Sequence, residues 1–579
     1  MNKIKITAAR FIEILDGKHD QYISPKDYDT SNYLPNNYPS IIIKDHIVEG
    51  RVNFVKEVFQ EHELLLESVE FTNSVNISIG KGISWALENC RFHDSLTFDN
   101  CSIIGLTFVA AEIKRLAKFS NCQQMHLHLE KMEAGSIVIE NCNNISGLLL
   151  TASRLGKVEI KNSKIGKANF YAEGGGEVFD LEVSAQSNIG ILSFDNHFAK
   201  GDIILRDSAI KSISFRGCYF KNLEVSNCRI EEGNFKIARI SDSIRINGGN
   251  YGEISFDGLE VENEIKFSGS QFGVLKLVGG KNCKIGIINI DGIISETMLM
   301  KNIMAEEIIF GLTIQNNASI YVMDLKVNKL SFENLLNAGQ FFLQRVSELI
   351  SNAGLISFLD SKIGNMELIS FPLETWRIRP KSSEVGGIRI IGGSIPVIKE
   401  NKLKYSIDMN LDPSDYYDFY DQLHQSLKIN KTLDRKYYVE KLQWSRVSYQ
   451  KELSKSNSGD WQNRLYYNSS IISLKAHDFS SDFGYNWIKS LGLYIVFSLL
   501  CYLIYSISIV DVGIEHLGVD NLFYHFAESL KFATPRTNFV LIENPPWYSI
   551  LVDIIYKIGS GFLIYQTISA FRKAGRNEK

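Results

Sequence analysis

The feature that most constrains this chain is a five-residue period. From Ile203, the first residues of successive blocks are Ile203, Ser208, Ile213, Cys218, Leu223, Cys228, Gly233 and Ala238. The third residues are Leu205, Ile210, Phe215, Phe220, Val225, Ile230, Phe235 and Ile240. Residues two apart lie on the same face of a strand. Each block therefore sends two side chains to one side and then turns a corner. Shorter runs repeat the pattern: Leu96, Cys101, Leu106 and Ala111 with Phe98, Ile103, Phe108 and Ile113, then Val158, Ser163 and Ala168 with Ile160, Ile165 and Phe170. Four blocks make a coil of about 20 residues, the length of a solenoid repeat. Asn and Gly gather at the corners, where a left-handed backbone is tolerated.

The cysteines carry the same period. Six of the eight follow Asn directly, at Cys90, Cys101, Cys122, Cys142, Cys228 and Cys283. Cys101 and Cys122 are 21 positions apart, and Cys122 and Cys142 are 20 apart. None forms a CxxC pair, and no His stands at zinc-ligand spacing, so the spacing indicates a repeat rather than a zinc site or a disulfide framework. A free buried Cys behaves as a small hydrophobe. That suits a stacked interior in a reducing compartment.

These blocks resemble the pentapeptide-repeat family, in which a small residue is followed by a variable one and then by Leu or Phe. The resemblance is good over 203–240 and patchy over roughly 70–395. It implies a mainly β chain folded as a right-handed parallel β-helix with four sides. Two departures stand out: Ile and Leu often replace the small residue, and the phase slips, as read from the sequence, at Gly174-Gly175-Gly176 and Asn247-Gly248-Gly249. On the order of 16 coils would form a rod of about 80 Å. Residues 1–50 are expected to cap it, with the segment around Tyr22–Tyr38 as the cap, and 51–398 to form the β-helix.

Residues 399–485 read as a helical connector. Asp412-Pro413 is a helix start. Tyr416, Phe419, Tyr420, Leu423 and Leu427 follow at helical spacing. A break at Asn430 precedes a second helix through Tyr437, Tyr438, Leu442 and Val447, and a third is expected over Trp461 to Leu474.

Residues 486–579 read as a membrane domain with two spans, at about 488–510 and 547–571. Leu491 to Val510 carries no charge, and twenty residues reach about 30 Å, the thickness of the hydrocarbon core. Trp547, Tyr548, Tyr565 and Phe571 are placed as interfacial anchors for the second span. Arg572, Lys573 and Arg576 follow it as a cytoplasmic anchor, while the 511–546 loop is acidic. Both ends are therefore expected in the cytoplasm, the loop outside, and the chain in the inner membrane as a multi-pass protein. The N-terminus, MNKIKITAARFIEILDG, has no apolar run after its lysines, so no signal peptide is expected. The tail FLIYQTISAFRKAGR resembles the ending of two-span bacterial membrane proteins that also carry repeat-rich soluble domains. That likeness covers about the last 90 residues and implies a membrane domain but no chemistry.

Asp553 and Lys557 fall inside the second span, spaced i,i+4 with the acid first, the favourable order for a helical ion pair. Ionisable residues at that depth usually face a bundle interior or a hydrated path, or else pair within their own helix. Gly559 and Gly561 beside them would let helices approach closely. A short helix over Asn521–Ala533 would give the order span, short helix, span that two-span channels have, but the potassium filter TVGYG is absent.

The catalytic classes find little support. No GxSxG, Walker A or GxGxxG motif stands in its required context. His126-Leu127-His128 alternates on a strand without a third ligand. The chain is not read as an enzyme, and no cofactor is expected. Secreted β-helix carbohydrate-active enzymes are an alternative that the missing export signal disfavours. A net charge of -4 over 579 residues gives neither a basic surface for nucleic acid nor the acidic face of a DNA mimic. Two function classes remain. In one, a cytosolic β-helix senses or docks a protein or ligand and gates a pore built from several copies of the membrane domain; membrane permeabilisation in defence against phage would be one use. In the other, the spans are a passive anchor and the rod is a scaffold for protein interaction.

Overall fold

The computed structural model describes residues 3–24, 39–59, 62–171, 177–195, 198–199, 201–236, 239–280, 283–350, 354–371, 376–392, 412–426, 431–456, 460–484, 486–509 and 547–576. The chain divides into two compact units, residues 1–396 and 397–579.

The first unit is a parallel β-solenoid of about 16 turns. One column of its core passes through Ile41, Leu64, Trp85, Leu106, Leu127, Leu148 and Ala168. It continues through Leu192, Ile213, Gly233, Ile254 and Leu275. Met298, Ile320, Phe341, Met366 and Ile388 complete it. Its sixteen steps at about 4.8 Å reach about 77 Å.

The five-residue pattern is the burial pattern. Cys218, Phe220, Leu223, Val225, Cys228 and Ile230 are buried, and Arg216, Lys221 and Arg229 are exposed. Five phenylalanines from successive coils, Phe170, Phe194, Phe215, Phe235 and Phe256, stack with ring centroids 4.3, 4.7, 5.0 and 4.5 Å apart. Parallel in-register pairing puts identical positions one above another, so like residues meet. The phase moves by one residue between Ile240 and Ile244, where the register of the pairing shifts. Asn247-Gly248-Gly249 is therefore not a slip. Gly249 stands five residues after Ile244, in phase. A Cβ there would come within 2.3 Å of the Cys228 carbonyl oxygen and 2.7 Å of the Tyr251 hydroxyl oxygen.

The corners explain the Asn-Cys pairs. Asn89, Asn100, Asn121, Asn141 and Asn227 all have φ between 52 and 54°. The cysteine that follows each points inward and donates its thiol to the carbonyl two residues back, as Cys122 does to Ser120 at 3.3 Å and Cys142 to Glu140 at 3.4 Å. Serine does the same after other left-handed residues: Ser163 to Lys161 and Ser208 to Arg206, each at 2.7 Å. Cys142, Ser163, Ser187, Ser208 and Cys228 occupy one corner on successive coils. The cysteines are thus corner donors as well as filler.

Pairing already runs through the N-terminal segment expected to cap the stack. Ile4–Thr7 pairs in parallel with His46–Glu49, and Ser40–Lys44 with Glu63–Glu67. A helix, α1 (Ala8–Leu15), buries Phe11, Ile14 and Leu15, with Phe11 edge-on to Phe71 at 5.3 Å. Most of the Tyr22–Tyr38 segment lies outside the described residues. Outside the solenoid, charges of opposite sign meet between coils: Arg91 with Glu112 at 3.3 Å, Lys118 with Glu140 at 2.9 Å, Arg245 with Glu264 at 3.2 Å. Each exposed pair contributes at most about 1 kcal/mol; together they keep the walls near neutral.

The second unit is helical. Its described elements are α2 (Pro413–Ser426), α3 (Lys431–Lys455), α4 (Trp461–Ser481), α5 (Trp487–Ile509) and α6 (Trp547–Arg576). Asp412 caps α2 by accepting from the Ser414 backbone N–H at 3.1 Å. That bond holds the Asp412 carboxyl below its usual range. Tyr416 stacks on Trp444 of α3 with centroids 4.0 Å apart. Leu427 and Asn430 lie outside the described residues.

Two outcomes test the solenoid. Phe215→Ala removes the middle ring of the stack and should cost about 3–5 kcal/mol in denaturant unfolding. Burial pushes the Cys90 thiol up to about 12 and Cys228 up to about 11. The solenoid thiols should therefore resist alkylation at neutral pH and react only as the unit unfolds.

Candidate functional site

The residues with unusual chemistry for their surroundings lie in the α5–α6 pair. The two helices run antiparallel. Trp487 meets Phe571 with centroids 5.9 Å apart, Phe497 stacks on Tyr556 at 6.3 Å, and Cys501 packs with Tyr556 and Val552. Small polar residues tie one end. Ser490 donates to the Leu563 carbonyl at 3.2 Å, and Thr567 donates to the Ser490 hydroxyl at 3.1 Å. Ser481, at the end of α4, donates to Gln566 Oε1 at 2.9 Å.

The rest of the surface is apolar. In α5 the window Trp487–Ile504 has mean hydropathy 1.8 and is only 17% buried. A helix at the core of a soluble unit would be mostly covered. Among the described residues this is the one helix long and apolar enough to cross a membrane by length and composition. The α6 helix also exposes Ile550, Leu551, Ile554, Ile555, Ile558 and Phe562, but carries Asp553 and Lys557 among them.

Asp553 and Lys557 form an ion pair at 2.7 Å. The two ends of the pair have different surroundings. Asp553 lies at the α5-facing seam with its side chain 18% exposed; Lys557 reaches the outer face with 54% exposed. Asp553 Oδ1 is buried and accepts no hydrogen bond from the described residues. Gly559 packs within the chain, since a Cβ there would lie 2.5 Å from the Phe497 ring. Gly561 does not: among the described residues nothing lies within 4 Å of its Cβ position. It shares the outer face with Lys557, one turn on. Arg572 is exposed; the side chains of Lys573 and Arg576 lie outside the described residues, as do the 511–546 loop and its expected short helix.

The solenoid carries a shallow groove of about 640 Å³ over five coils, lined by Asn53, Asn76, Thr97, Lys118, Asp99 and Glu140 among others. Several of its polar groups satisfy one another. Asp99 Oδ1 accepts from Ser120 at 2.7 Å and from Asn121 at 2.9 Å, while Lys118 pairs with Glu140. His126 and His128 sit on one strand; burial lowers the pKa of His128. Among the described residues no three His, Cys, Asp or Glu side chains group as a metal site. Comparison with protein-family models, curated proteins and solved structures finds no match.

The contrast between the glycines is testable. Gly559→Leu drives a side chain into the Phe497 ring and should lower the melting temperature in detergent, by an overpacking cost of about 1–3 kcal/mol. Gly561→Leu should leave the monomer's melting unchanged.

Proposed function

We propose that this chain is a multi-pass inner-membrane protein. In this reading a right-handed, four-sided solenoid of pentapeptide-repeat type acts in the cytoplasm as a docking or sensing module. It is coupled to a two-span membrane domain, and several copies of that domain form a gated pore. The observation that carries the reading is the Asp553–Lys557 pair on a hairpin whose outer surface is otherwise apolar. Lys557 lies ten residues past Trp547, about 15 Å along the helix. A charge at that depth costs roughly 2.5–3.5 kcal/mol on insertion scales, and pairing leaves its desolvation only partly offset. Lys557 points away from its own hairpin, next to the open Gly561. A second copy packed there would shield the charge and border a hydrated path. Defence by membrane permeabilisation is one use of such a pore. The 2.7 Å bond within one helix also supports a second reading, in which the spans are a passive anchor, the pair is a membrane-depth salt bridge, and the solenoid is a scaffold.

Ion flux through reconstituted protein separates the two readings. Asp553→Leu combined with Lys557→Leu should preserve insertion and abolish flux; undiminished flux, or a strictly monomeric protein by light scattering, overturns the pore. For the topology, Asn521→Cys and Asn538→Cys should label from outside the cell and Gly575→Cys only from inside.

A further inference from the structure

The α4 helix has an apolar stripe that stays largely exposed among the described residues. Trp461, Leu465, Ile472 and Phe479 are 64, 62, 66 and 69% exposed. At about 100° per residue these four positions fall within a sector of about 40°. The helix already has its packing partner on another side. Tyr467 meets Tyr449 at 6.1 Å, and Asp478 pairs with Arg446 at 3.5 Å. The stripe is therefore a second face, away from the contact with α3.

Three further observations say what covers it. First, the charge is one-sided. Between Asp460 and Asp478 there is no acidic residue, and Arg464 and Lys475, both exposed, lie along one edge of the stripe. Second, the composition is that of an interfacial helix, with Trp, Leu, Ile and Phe on one face and basic residues beside it. Third, the position is right. The end of α4 is bonded to α6 through Ser481 and Gln566, at the end of the hairpin where Trp487 meets Phe571. Asp482, Phe483 and Gly484 all take positive φ, 47, 56 and 82°, so the helix stops and the chain turns before α5 begins. Lys489 lies 5.9 Å from the Phe479 ring, at that same end.

We propose that α4 lies in the plane of the inner leaflet, with Trp461, Leu465, Ile472 and Phe479 in the acyl–headgroup boundary and Arg464 and Lys475 on anionic lipid headgroups. This rests on the membrane reading of α5. The helix is then a lipid-anchored lever: a pull on α3 passes through Arg446–Asp478 to α4, and through Ser481–Gln566 to the second span.

Single-cysteine nitroxide scanning of the full chain in nanodiscs containing phosphatidylglycerol tests it, because all eight native cysteines are buried. Labels at Leu465→Cys and Ile472→Cys should be several-fold more accessible to oxygen than to a water-soluble nickel reagent. Labels at Gln462→Cys and Ser473→Cys should show the reverse. In phosphatidylcholine alone, or with Arg464→Gln and Lys475→Gln, the preference at Ile472→Cys should shrink. A label at Val496→Cys, inside α5, keeps the two readings apart. If Val496→Cys is in lipid while Leu465→Cys and Ile472→Cys are open to nickel, the in-plane helix is wrong and the span stands. If Val496→Cys is itself open to nickel, the membrane reading falls and this inference with it. If Leu465→Cys and Ile472→Cys exclude both reagents, the stripe is covered by protein, a second copy or a partner, and the lipid assignment is overturned.

Discussion

Everything in the first unit depends on turning the chain sharply at fixed intervals without leaving backbone groups stranded in a dry interior. A buried unpaired carbonyl costs free energy comparable to a lost hydrogen bond. The corner solves this with two adjacent residues. One adopts a left-handed backbone, as Asn121 does at φ 54°. The next turns inward and donates to the carbonyl two residues back, as Cys122 does to Ser120. Because Cys and Ser can both donate, either can fill the corner, as Cys142, Ser163, Ser187, Ser208 and Cys228 do on successive coils, while the residue before them, most often Asn, takes a conformation that most residues avoid. Parallel pairing between coils then satisfies most of the backbone, and the side chains are left to fill the interior.

Once the corners are set, stacking decides the rest. In-register coils bring Phe170, Phe194, Phe215, Phe235 and Phe256 face to face. Outside, opposite charges meet between many coils, as in Arg91 with Glu112, although like charges also align in register, as Glu112 with Glu133 and Arg216 with Lys236. Charges of both signs are interspersed on the walls, which gives no broad basic surface for a polyanion. An extra residue near Asp242 is absorbed by a local register shift, and the core resumes with Ile244 and Ile246. A stacked fold tolerates such insertions because each coil contacts only its neighbours.

The second unit follows a different logic. Its α5–α6 pair is held by small and aromatic residues in a narrow seam, and most of its apolar surface faces outward. Water would make that arrangement costly; lipid would not. Within it, the largely covered Asp553 and the outward Lys557 are hard to reconcile with lipid on all sides. The α4 stripe extends the same apolar character to the helix that joins the hairpin at its Gln566 end.

The five-residue period, the left-handed Asn corners, the inward residues of 203–240 and the charge-free run of α5 were legible in the sequence. Each depends on neighbours a few positions apart, and local sterics or hydropathy suffice to read it. Other features depend on contacts between residues about 21 or about 70 positions apart, and only the tertiary structure decided them. The sequence marks the phase slip at the conspicuous Gly248-Gly249, whereas the register shift lies at the plainer Ile240–Ile244. Cysteine spacing identifies a repeat but does not say that the thiol bonds to a corner carbonyl. Gly559 and Gly561 look alike in the sequence, yet Phe497 covers one and not the other. The stripe on α4 became visible only when α3 was seen to occupy another face of the helix, because a helical period identifies which residues share a face but not which face a partner takes.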